Sequence, residues 1–88
     1  MPHVSVKHWP RTFTDAEKAR LVTELTETIT GVFGCDPGSL SIAVEAVEPS
    51  RWTDEVHVPE IEGRTHLLWK RPNYTQPIPT DPTPEGTR

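Results

Sequence analysis

Between His3 and Val47 the hydrophobic period of the chain changes twice, from two to about 3.6 and back to two. That succession leaves few folds open. Val4 and Val6 alternate with His3, Ser5 and Lys7, the pattern of a strand over His3–Trp9 with one drier face. Pro10 has no N–H to give a ladder and ends it. Thr14 and Glu17 stand in capping-box spacing, and Asp15 adds negative charge at the positive end of the helix dipole. Val22, Leu25, Ile29 and Val32 then recur at helical spacing, with Leu21 and Phe33 widening the stripe. Thr23, Thr26, Thr28 and Thr30 are mediocre helix formers, so packing has to hold this helix. Gly34 suits the left-handed position after the helix, and Pro37 blocks continuation. In a second strand over Ser39–Val47, Leu40, Ile42, Val44 and Ala46 share one face, and Ser41, Ala43, Glu45 and Val47 the other.

The fold class that follows is α/β (α+β): a β-α-β protomer with a parallel two-stranded core, a right-handed crossover and a short C-terminal helix. Two parallel strands under one helix keep an uncovered face and two open edges. Size sharpens the problem, because a domain within an 88-residue chain buries only about 60% of the surface its unfolded form exposes. Cys35 is the single cysteine, so no disulfide helps, and no zinc-ligand spacing is present. Self-association is expected, as a homodimer or a hexamer. Pro49–Val58 reads as a loop carrying Arg51, Trp52, Asp54 and His57. Pro59–Lys70 reads as the short second helix, weakened by Gly63 and stopped by Pro72. Four of the ten prolines lie in residues 75–88, a tail expected to be disordered or draped over a neighbour. The domain is therefore read as 1–74.

Charge restricts the partners. Thirteen acidic against nine basic residues give −4, and Lys70-Arg71 is the longest basic cluster, so nucleic acid is not an expected ligand. No apolar run approaches the ~18–20 residues of a membrane span. The start, Met1-Pro2-His3-Val4, lacks the plan of a signal peptide. With its lone cysteine the chain is expected to be a cytoplasmic protein.

Familiar catalytic constellations are missing: no phosphate-binding glycine loop, nucleophile elbow or Cys-x-x-Cys occurs. His3, His8, His57 and His66 fall on different elements without ligand spacing, so neither a metal site nor a cofactor is expected. Cys35 follows a helix C-terminus, where the dipole disfavours a thiolate. Pro2 is different. An initiator methionine ahead of a small residue is commonly removed, and the new end is then a ring-fixed secondary amine. Desolvation and nearby cations lower the pKa of such an amine. A base poised near ambient pH suits proton transfer at carbon beside a carbonyl.

Met-Pro-His-Val-Ser-Val-Lys at the start, Thr-Asp-Ala-Glu-Lys-Ala-Arg-Leu opening the helix and Ser-Leu-Ser-Ile-Ala-Val-Glu in the second strand resemble the tautomerase superfamily. Within its 4-oxalocrotonate-tautomerase group the likeness is to the PptA-type branch. That branch shares the Trp-Pro-Arg end of strand one, the Glu-Pro-x-x-Trp segment after strand two and a C-terminal Lys-x-Pro-x-Tyr. The resemblance covers about Met1–Tyr74. It implies a cofactor-independent keto–enol isomerase, with the N-terminal proline as general base on small enol or dienol acids. It also implies protomers that pair their sheets as dimers or trimers of dimers.

Carried over by position, Pro2 matches the base and Trp52 the aromatic wall that keeps the site dry. Arg11 lies near the first-strand arginine of the family, in a loop one residue longer. The arginine that other members place early in strand two is Ser41 here, so a bidentate grip on a carboxylate is lost. Lys7, Arg51 or His8 can supply the missing cation. Lys7 is on the helix-free face of the sheet, and His8 on the opposite strand face. The competing reading is a non-catalytic, oligomeric small-molecule-binding module on the same scaffold, with Met1 retained and the Pro2 nitrogen locked in an amide.

Overall fold

Parallel pairing of two six-residue strands sets the frame. β1 (His3–His8) lies alongside β2 (Ser41–Ala46) in the register His3↔Ser41, Val4↔Ile42, Ser5↔Ala43, Val6↔Val44, Lys7↔Glu45 and His8↔Ala46. The computed structural model describes residues 1–73, so Tyr74 and the 75–88 tail lie outside the described residues. Within that range the chain divides into two compact units, Met1–Ala46 and the segment from Val47 onward.

The first unit is the expected β-α-β arrangement. Helix α1 spans Asp15–Phe33. Its capping box is complete: Thr14 Oγ1 accepts the Glu17 N–H at 3.0 Å, and Glu17 Oε1 accepts the Thr14 N–H at 2.9 Å. Gly34 closes the helix at φ 67°, donating to the Thr30 carbonyl at 2.8 Å, while Cys35 N–H reaches the same carbonyl at 3.2 Å. A 3₁₀ turn, Pro37–Ser39, then takes Ser39 from the expected second strand, and Leu40 caps the turn, so β2 starts at Ser41. Asp36 builds this turn, accepting the Gly38 N–H at 2.8 Å. The even-numbered residues Ile42, Val44 and Ala46 of β2 share a cleft with Leu21 and Val22 of α1, so the helix covers that face of the sheet. Coverage is thin. No residue of α1 is buried, and Val22, Val44, Phe33 and Val32 remain 43–80% exposed.

The second unit departs from expectation. Pro49–Val58 is helical, not a loop: α2 runs Pro49–Trp52, a π-helical stretch Thr53–Ile61 continues it, and a 3₁₀ segment Glu62–Leu67 ends it. Both prolines are placed where they do little harm. Pro49 occupies the first turn, where a missing N–H costs nothing. Pro59 lies inside the π-helical stretch, whose wider winding relieves the clash a proline ring has with the carbonyl four residues back in an α-helix. Gly63 is a close-approach position, since a Cβ there would stand 3.0 Å from the Val58 carbonyl oxygen. Helix ends by Leu68, so the last residues of the expected Pro59–Lys70 helix are non-helical. The buried side chains among the described residues are Val47, Val56 and His57, all in this unit. No helix among the described residues is long and apolar enough to cross a membrane.

Candidate active site

Pro2 precedes β1 and is half-buried, while Met1 ahead of it is fully exposed. Proline has no N–H, so its carbonyl is its backbone handle, and that carbonyl accepts the Ser41 N–H at 3.3 Å. The Ser41 side chain makes a second tie, with Oγ 2.7 Å from His3 Nδ1 across the first rung of the sheet. One residue of β2 therefore holds both Pro2 and His3.

Alternation along β1 sends the other candidates to two faces. Lys7 shares the helix-free face with His3 and stands opposite Glu45 in the register. His8 is on the helix side, its ring edge-on to Phe13 at 5.3 Å between centroids. There it lines a cleft of about 420 Å³ with Arg11, Lys18, Phe13, Leu21 and Val44. Pro2 and Lys7 do not line this cleft.

Arg11 is engaged by its own neighbours. Nη2 lies 3.2 Å from each Glu17 carboxylate oxygen, and the guanidinium carbon stands 4.3 Å above the Phe13 ring. The Thr14 backbone N–H and, behind it, the Arg11 charge hold the Glu17 carboxyl below its ordinary value. This ion pair is about half exposed on both sides, so solvent screens it strongly.

Arg51 and Trp52 belong to the second unit. Arg51 Nε pairs with Glu55 Oε2 at 3.1 Å, one helical turn on and also exposed. Trp52 is half-buried, with its Nε1 enclosed and without an acceptor, an orphan donor that costs of order 1–3 kcal/mol. Five residues further on, His57 is buried, and its Nε2 lies 3.2 Å from Glu62 Oε2. Among the described residues no group of three or more His, Cys, Asp or Glu is arranged to hold a metal ion.

No protein-family model matches the sequence. Individual curated relatives do. The chain is 39% identical over 75 residues to a protein named Tautomerase PptA from Pectobacterium carotovorum, covering 85% of this chain and 99% of the relative. It is 36% identical over 74 residues to the Cronobacter sakazakii protein of that name, covering 84% and 97%. The chain belongs to the PptA-type branch of the tautomerase superfamily. It is accordingly an isomerase. A more distant relative of the same name, from Escherichia coli O139:H28, is 31% identical over 75 residues.

Two features of this tautomerase escaped the reading of its sequence. The tie from Ser41 to His3 needs only the strand register, and both residues open their strands, so the signal was there. The His57–Glu62 contact has no such signal, because a five-residue spacing does not pair in an α-helix and becomes a contact only through the π-helical winding.

Proposed function

We propose that this tautomerase interconverts the enol and keto forms of small enol or dienol carboxylic acids, with the Pro2 nitrogen, freed by removal of Met1, as general base. One observation carries the reading: a fully exposed Met1 stands ahead of a proline whose carbonyl is anchored in the sheet. Trimming then leaves a secondary amine on a held strand end. Its lone pair takes the proton from the substrate hydroxyl. As that O–H bond breaks, the carbonyl forms and electron density moves to carbon, where the same proton is returned. The proton is borrowed and given back, so the reaction as written consumes no oxidant, reductant or cofactor.

Arg11, Lys7 and Arg51 are alternative cations for the substrate carboxylate and carbonyl, since Lys7 is on the helix-free face and Arg11 in the helix-side cleft. The ion pairs of Arg11 and Arg51 are weak enough to exchange. Trp52 is the aromatic wall, and its enclosed Nε1 is a donor in need of an acceptor. Assembly belongs to the same reading: a β-α-β unit in which no described residue is buried favours a homodimer, with a hexamer as its larger form. The domain is taken as 1–74, and the lone Cys35 fits a reducing cytoplasm.

The test is an ultraviolet assay with phenylenolpyruvate and 2-hydroxymuconate, run on wild type and Pro2→Ala after intact-mass measurement. Loss of one methionine from the mass is expected. In Pro2→Ala, kcat is expected to fall at least ~100-fold, the lower range of general-base contributions, with the circular dichroism spectrum unchanged. Unchanged turnover removes Pro2 from the mechanism. A full-length mass with no turnover favours the non-catalytic binding module.

A further inference from the structure

The first rung of the sheet points to a role for two residues outside the proposed proton transfer. Once Met1 is gone, Pro2 has no preceding residue and its nitrogen is a free secondary amine, and chain ends fray unless tied down. The Ser41 N–H holds the Pro2 carbonyl, at 3.3 Å. The next residue, His3, is fastened to the same serine through Nδ1···Oγ at 2.7 Å. These two contacts lie at right angles in function: the amide fixes the peptide plane behind the base, and the hydroxyl fixes the side chain that follows it. A serine hydroxyl both donates and accepts, so it can pair with Nδ1 in either ring tautomer.

We propose that Ser41 and His3 form a clamp that positions the Pro2 nitrogen for proton transfer, acting through the strand end rather than on the substrate. The proposal rests on the proline reading above. It gives Ser41 a task at a place where a cation was expected. The residue does not grip the substrate; it holds the base in register. Acid–base catalysis is sensitive to such placement, because a shift of about 1 Å in a reacting group can cost on the order of 100-fold. The helix-free face also carries Lys7, two rungs of alternation away and opposite Glu45, so the clamp and the candidate cation share one surface.

The experiment is steady-state kinetics on processed full-length Ser41→Ala, Ser41→Thr, His3→Ala and the Ser41→Ala/His3→Ala double variant, with Pro2→Ala beside them and phenylenolpyruvate as substrate. Ser41→Ala and His3→Ala should each lower kcat about tenfold, a fraction of the ~100-fold expected for a full ångström. KM should stay within about twofold, since the clamp does not touch substrate. The double variant should be no worse than either single one, and Ser41→Thr, which restores the hydroxyl, should recover most of the rate. Wild-type kcat in Ser41→Ala with an inactive Pro2→Ala overturns the clamp and leaves the proline reading standing. Wild-type kcat in both means that the proline reading itself has failed. Additive losses in the double variant, or a loss that Ser41→Thr does not repair, show two independent structural effects and overturn the clamp as a unit.

Discussion

The two units of the chain reverse the usual association of regular structure with burial. Met1–Ala46 contains both strands and the 19-residue helix, correctly capped at each end, yet none of its residues is buried. The segment from Val47 onward has a one-turn helix, a π-helical stretch and a 3₁₀ segment, yet holds Val47, Val56 and His57 out of water. Local rules alone can write the first unit: alternation, a capping box, a left-handed glycine. They do not supply the apolar contacts that make a two-stranded sheet stable, and the half-covered helix face is where the proposed self-association would add them.

Matched valines break or sharpen this contrast most strongly. Val56→Ala removes two methyl-sized groups from a site 6% exposed and should cost roughly 2 kcal/mol in urea unfolding. Val22→Ala, at 49% exposure, should cost under about 0.5 kcal/mol at chain concentrations where the protein is monomeric. At high concentration a second copy closing over α1 should raise that cost toward the Val56 value. Equal and concentration-independent costs would erase the difference between the units.

Smaller effects probe the local rules of the first unit. Gly34 holds φ 67°, so Gly34→Ala should lower stability by about 1 kcal/mol, read as a fall in melting temperature. The Glu17 carboxyl is held below its ordinary value, so its contribution to the capping box is present above that value and lost as pH falls through the lowered one. Glu17→Gln, which keeps the box geometry without the charge, should flatten the acid limb of helix loss followed by circular dichroism. An unchanged acid limb would show that the cap is not what acid removes.

How much of this was legible differs by residue. Thr14, Glu17 and Gly34 were readable because each is fixed by its own neighbours within four residues, whereas the second strand starts two residues later and ends one residue earlier than its alternation suggests. Pro49 and Pro59 misled because proline is a strong local breaker, while its real cost depends on where in a turn it falls and how widely the chain winds there. Pro2 was legible as a candidate base from Met1 ahead of it. Its anchoring was not, because the Ser41 partner lies 39 residues away and enters only through the strand register. The ion pairs that occupy Arg11 and Arg51 were likewise invisible until Glu17 and Glu55 were seen beside them.

The most direct test is a nitrogen-15 titration of the Pro2 imino group in processed, assembled protein. The account predicts half-protonation near pH 7, where a general base at ambient pH works best. An imino group still fully protonated at about pH 9 would contradict it, since a nitrogen without a free lone pair cannot begin the proton transfer.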